Sequence, residues 1–284
     1  MPLAPIRTAH VNQVVADFEA SKAFYRDVLD ADIYWEGWDE EAKRDAALLV
    51  LGHSPHEIFA PSEHTSLLGQ NLQRFGESFH SFEWQVADLE EAKAVFEENG
   101  VRVTTYRPGS FFMTHPKDSH GMLFEICSHE MSGDPRLVEG FSDERWRNGA
   151  MGLLRLNSMQ VAVRDLESAV EFHLRLSGGE EIYREKRPGV GNAVGIWVAD
   201  MITELIEPDG DDSPVAAYIN RLGPRIRSLN FQVKDTSAVT DHLAAHDIRV
   251  APADVPEDVL IDPRDNFGLM FQFSEAPRQN DPRD

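Results

Sequence analysis

HVNQVVADFEASKAFYRDVL, residues 10–29, sets the pattern for the whole chain. It opens as a short, partly alternating strand-like run. It then continues with helical spacing, Val28 and Leu29 lying beyond Phe24 and Tyr25, so that one apolar stripe faces a sheet. Asp17 stands at the junction, where its carboxylate can accept from the first free N–H groups of the helix. Working outward, the pattern returns three times: SFEWQVADLEEAKAVFEENG from Ser81, SMQVAVRDLESAVEFHLRLS from Ser158 and SLNFQVKDTSAVTDHLAAHD from Ser228. Each copy has an Asp seven residues on, at Asp88, Asp165 and Asp235, and each of these Asp residues is expected to cap a helix.

A second element recurs later in every copy: HEIFAPSE from His56, FEICSHE from Phe124, TELIEPD from Thr203 and FQFSEAP from Phe271. It carries an acid or amide at matched places, Glu57, Glu125, Glu204 and Gln272, which lie 44 to 47 residues after the opening residue. A unit repeated at such a period is one supersecondary module. The chain is therefore expected to be α+β, four βαβββ modules paired two by two. The first domain is expected over 1–131, a linker over 132–149, the second domain over 150–276 and a frayed tail over 277–284.

Composition narrows the function. Of 284 residues, 49 are acidic and 27 basic, a formal net charge of -22, which repels nucleic acid and anionic lipid. No apolar run reaches membrane-spanning length. The only cysteine, Cys127, rules out an intrachain disulfide, and with no signal-peptide layout at the start a cytoplasmic protein is expected. No glycine-rich nucleotide loop, GxSxG elbow or zinc-spaced Cys/His set is present. His53, His56 and His64 read as a solvated loop.

The repeats, together with HPKDSHGMLFEI from His115 and its diverged copy IDPRDNFGLMFQF from Ile261, resemble the vicinal oxygen chelate superfamily of glyoxalases, bleomycin-resistance proteins, methylmalonyl-CoA epimerases and extradiol dioxygenases. The resemblance implies that each pair of modules curls eight strands into an open cup with one divalent metal inside. By position, His10, Glu57 and Glu125 fall on metal-ligand places. The fourth place falls on Ser81, and His80, one residue earlier, needs a bulge to turn inward. In the second half the places hold Ser158, Glu204, Ser228 and Gln272, which implies a lost metal site.

Parity along the strands puts Asn12, Glu83 and Gln85 on the cup side, while Phe82, Trp84 and Val86 face the helices. Tyr34 and Trp35 are candidates for the rim. An N/O ligand set of this kind suits Fe²⁺, Mn²⁺, Co²⁺, Ni²⁺ or Zn²⁺. The resemblance then implies an enzyme acting on a small molecule with vicinal oxygens, of isomerase, epimerase or lyase type, with Glu57 as proton carrier and His120 near the substrate. Two alternatives stay open: an extradiol ring-cleaving dioxygenase using His10, His80 and Glu125, or a metal-free binding or resistance protein. A homodimer is the expected assembly.

Overall fold

The computed structural model describes Met1–Asp284. In the first half, β1 (Arg7–Val14), α1 (Phe18–Ala23), β2 (Asp32–Asp39), β3 (Arg44–Leu51) and β4 (Ser54–Pro61) form one module. After α2 (Leu67–Phe75), a second module follows: β5 (Ser78–Gln85), α3 (Leu89–Glu98), β6 (Val103–Arg107), β7 (Phe111–Thr114) and β8 (Phe124–Cys127). A short α4 (Glu144–Arg147) leads into the second half. There β9 (Leu153–Ala162), α5 (Leu166–Ser177), β10 (Glu180–Arg187), β11 (Gly191–Val198) and β12 (Met201–Pro208) repeat the first module. Then come α6 (Pro214–Leu222), β13 (Arg225–Val233), α7 (Thr236–Ala245), β14 (Val250–Ala251), β15 (Val259–Ile261) and β16 (Met270–Ser274).

The two sheets have the same order, β2-β3-β4-β1-β5-β8-β7-β6 and β10-β11-β12-β9-β13-β16-β15-β14. The fold is thus α+β, two tandem eight-stranded sheets. In each, the opening strands of the two modules pair antiparallel at the centre, and each is flanked by the closing strand of its own module in parallel. The matched polar positions of four strands therefore meet at the middle of each sheet.

Local chemistry accounts for the helix starts. The side chain of Asp17 accepts from Ala20 N, Asp88 from Glu90 and Glu91 N, Asp165 from Ser168 N and Asp235 from Ser237 N. Each such cap is worth about 1 kcal/mol. Behind the first sheet, Phe82, Trp84 and Phe124 pack together and against Phe96 of α3. His173 of α5 closes this cluster from the other half, its ring 5.5 Å from Trp84. Phe79 stacks on Phe271 at 6.1 Å, and a single core runs through both halves.

The ends depart from expectation. Residues 277–284 pack instead of fraying. Arg283 is forked onto Asp281 and donates to Leu156 O and Asn157 O, at 3.0 and 3.3 Å, and Asn280 donates to Ile182 O. The segment expected as linker holds the matching clamp. Arg136, forked onto Asp134, donates to Thr8 O and Ala9 O at 3.2 and 3.1 Å. Both clamps read Asp-Pro-Arg, so the repeat runs on into segments whose short polar sequence suggested mere connection. Each clamp serves a bulge. Ala9 is the extra residue between the Thr8–Trp84 and His10–Glu83 pairs, and Asn157 is its counterpart on β9. The arginines satisfy carbonyls that the interrupted ladders leave free.

Candidate active site in the first cup

The registers bring six polar side chains to the cup floor. His10 opposes Glu83 and Asn12 opposes Ser81 across β1 and β5, while Asn12 neighbours Glu57 and Glu83 neighbours Glu125. His10 Nε2 lies 2.9 Å from Glu83 Oε2 and 3.5 Å from Glu57 Oε2. Asn12 Nδ2 donates to Ser81 Oγ at 2.8 Å and to Glu125 Oε2 at 2.9 Å. Arg44, from the start of β3, donates to Glu57 Oε1 at 3.1 Å and lies over the Phe59 ring. The floor opens into a cup mouth of about 310 Å³ lined by His10, Glu57, Glu83 and Glu125, and beside it lies a cavity of about 710 Å³ with Arg44, His80, Arg107 and Glu125 in its wall.

Burial and charge oppose one another here. Burial alone would lower the His10 pKa, but Glu83, Glu57 and Glu125 outweigh it and push it up to about 9. For Glu125, burial comes first and Glu83 and Glu57 add to it, raising its pKa to about 8 against the pull of His10 and Arg44. Two cations thus face three carboxylates, Glu57 and Glu83 buried and Glu125 half-buried, an imbalance that is costly unless a proton or a cation offsets it.

The residues expected from sequence meet in part. His10, Glu57 and Glu125 share the floor. Asn12 and Glu83 lie beside them, Glu83 as the direct partner of His10 rather than a lining group. His80 is the extra residue of a β5 bulge between the Phe79–Gln13 and Ser81–Asn12 pairs, which turns it into the cavity wall with Glu125. Burial, with Arg225 and Arg44 nearby, lowers its pKa to about 3. Its imidazole is therefore neutral, the form that ligates metals. Trp35 stands at the rim, 42% exposed, in the wall of the cup mouth. Tyr34 lies behind it with a buried hydroxyl that has no partner, its pKa raised by burial and by the charge of Asp134.

Three residues stand elsewhere than expected. Gln85 shares the parity of Glu83 but ends β5 opposite Arg7, outside both cavity walls of the cup. His120 takes a left-handed backbone (φ 53°) and packs on Phe172 of the other half at 5.4 Å, where it serves the contact between halves and lines neither wall. His56 is not in a solvated loop. It is buried in β4, bonded to Ser54 Oγ at 2.9 Å and held neutral by burial. Arg44 was missed, although steps of two back from Leu48, which lines the mouth, reach Ala46 and Arg44 on the same face.

As they stand, no three His, Cys, Asp or Glu side chains converge closely enough to hold an ion. The donor chemistry nevertheless fits one. The set combines imidazole nitrogen with carboxylate oxygens, three carboxylates against two cations once Glu125 gives up its proton, and neither ring nitrogen of His10 completes a well-aligned hydrogen bond.

The second cup is built otherwise. Glu204, at the place of Glu57, accepts from Arg187 at 2.7 and 2.9 Å, from Gln160 at 2.6 Å and from Tyr183 at 2.6 Å. Where the first cup has unbalanced carboxylates, this one has a closed ion-pair network.

Residues 7–126 match the model of the Glyoxalase/Bleomycin resistance protein/Dioxygenase superfamily. The match lies in the first half of the chain, and the second half repeats the sheet order of the first. Among curated proteins, the ethylmalonyl-CoA/methylmalonyl-CoA epimerase of Cereibacter sphaeroides is 26% identical over 132 residues, 43% of this chain and 98% of that one. The mitochondrial methylmalonyl-CoA epimerase of Homo sapiens is 24% identical over 131 residues, 43% of this chain and 74% of its own length. Over its full length the chain shares the fold of a mutant 4-hydroxymandelate synthase from Streptomyces coelicolor, with TM-score 0.72 and 15% identity over 98% of this chain and 94% of that one. It also shares the fold of the 2,3-dioxygenase LapB from Pseudomonas sp. KL28, with TM-score 0.63 and 14% identity over 100% and 96%.

Proposed function

We propose that the first cup is a divalent-metal-dependent active site that moves a proton on a small molecule beside two vicinal oxygens, as an epimerase, isomerase or lyase does. The observation that carries this is the cluster of His10, Glu57, Glu83 and Glu125, with more carboxylates than cations, at the base of the cup mouth of about 310 Å³ that adjoins the larger cavity. His10, Glu57 and Glu125 would hold the ion. When bound, the ion supplies positive charge to the two substrate oxygens and makes the neighbouring C–H more acidic.

Glu83 then replaces Glu57 as our candidate proton carrier. Its Oε2 has no well-formed hydrogen bond, and it lies 2.9 Å from the imidazole that the ion would engage. Arg44 orients Glu57. Arg107 and Arg74 line the cavity and suit an anionic substrate such as an acyl-CoA carboxylate. The likeness of this half to epimerases of malonyl-CoA thioesters supports proton transfer as the reaction.

The test is deuterium wash-in at the α-carbon of methylmalonyl-CoA in D₂O, with the wild type and Glu83→Gln both loaded with metal. The proposal expects exchange by the wild type and a loss of about 100-fold or more in the variant. Equal exchange by both proteins would remove Glu83 from its role, and none by either would remove this substrate. One observation favours a second reading. The bulge at His80 would complete a His10, His80 and Glu125 set, as a ring-cleaving Fe²⁺ dioxygenase needs. Oxygen uptake with catechol would select it.

A further inference from the structure

The two cups correspond residue by residue through their registers. Gln160 neighbours Glu204 as Asn12 neighbours Glu57, and Asn230 opposes Ser158 as Glu83 opposes His10. Tyr183 pairs with Gly195, which faces Glu204, just as Trp35 pairs with Leu48, which faces Glu57. Counting back from the matched clamps Arg136 and Arg283, Arg278 stands where the first cup has Met131.

Arg278 lines a cavity of about 740 Å³ at the mouth of the second cup, together with Tyr183, Ser274, Glu257 and Asp258. Its side chain is only 13% exposed, its Nε is buried with no partner, and Glu204, its nearest carboxylate, is 3.9 Å away. The reason is capacity. Glu204 Oε1 already accepts from Gln160 and Arg187, and Oε2 from Tyr183 and Arg187. All four lone-pair positions are taken. A guanidinium fork left in this state calls for an acceptor from outside the chain, and a carboxylate fits it in bidentate fashion. The wall beside it is acidic. Asp258 is held by Gln272 at 2.6 Å, and Glu257 stands next to it.

We propose that the second cup is a binding site for a small amino acid, its carboxylate received by Arg278 and its ammonium by Asp258 and Glu257. The ammonium would also offset the cost that burial places on the charged form of Asp258. A cup that has exchanged metal-site chemistry for an arginine-anchored one thus remains a receptor.

This site shares no residue with the reaction proposed for the first cup. The full chain is screened by thermal shift against each proteinogenic amino acid, with acetate and methylamine as half-ligands, and hits are titrated by calorimetry. The expected result is saturable binding of at least one amino acid at one site per chain, weakened about tenfold or more in both Arg278→Gln and Arg278→Met. Methionine is the residue the first cup carries at that place, so the second variant keeps a side chain this fold accepts. His10→Ala should bind as the wild type does. No binding by any amino acid, binding unchanged in both Arg278 variants, acetate binding as tightly as the amino acid, or loss of binding in His10→Ala would each overturn the proposal.

Discussion

Arg136→Gln is expected to separate what the clamp does for stability from what it does for the site. The substitution removes two hydrogen bonds to the bulge carbonyls Thr8 O and Ala9 O, and it strips Asp134, 3% exposed, of its fork. Leaving a buried carboxylate without its partner costs about 3–5 kcal/mol. For a chain of this size that lowers the melting temperature by about 6–15 °C. Arg283→Gln breaks the equivalent clamp, but Asp281 keeps Arg155 at 3.7 Å, so the loss there should be smaller. The site should respond in the opposite proportion to symmetry. Ala9 precedes His10, so relaxing its bulge lets the His10 ring wander, and metal affinity in Arg136→Gln should fall about 10–100-fold, as with other groups that orient a ligand. Arg283→Gln, whose bulge precedes Ser158, should leave metal affinity unchanged. Urea denaturation and competition with a metal-sensitive dye measure the two effects. Equal metal affinity in Arg136→Gln and the wild type would refute the idea that the clamp aims His10.

Gly195→Ala should cost about 1–3 kcal/mol, because a Cβ there would sit 2.1 Å from the Tyr183 ring, and the cost should vanish in a Tyr183→Ala background. Thermal melts of the four proteins check this, and a cost that persists without the ring would contradict the packing argument. His173 predicts acid sensitivity. Burial lowers its pKa to about 3, so the unfolded chain takes up its proton first and stability falls as pH drops from about 6.5 toward 3. In His173→Phe the urea midpoint should depend less on pH over that window, and an unchanged pH slope would count against it.

What the sequence disclosed was local. The Asp residues at the strand–helix junctions are caps; the resemblance implied that His10, Glu57 and Glu125 share one floor, and parity added Asn12 and Glu83, because a strand's own period fixes which side a residue faces. What it withheld belongs to pairs of strands or to the contact between halves. The bulge that turns His80 inward exists only in the register of β5 on β1. Gln85 keeps the right parity but lies beyond the cup, a matter of where the strand ends. His120 is claimed by Phe172, far away in sequence. The Asp-Pro-Arg segments look like linker and tail until their guanidinium groups are seen on the bulge carbonyls.

The central claim is that the first cup holds a divalent metal through His10, Glu57 and Glu125. Elemental analysis and metal titration of anaerobically purified wild type, His10→Ala and Glu125→Ala test it most directly. The account predicts about one transition-metal ion per wild-type chain and loss of tight binding in both variants. A wild type that binds none of Fe²⁺, Mn²⁺, Co²⁺, Ni²⁺ and Zn²⁺ would contradict it, as would variants that bind as tightly as the wild type.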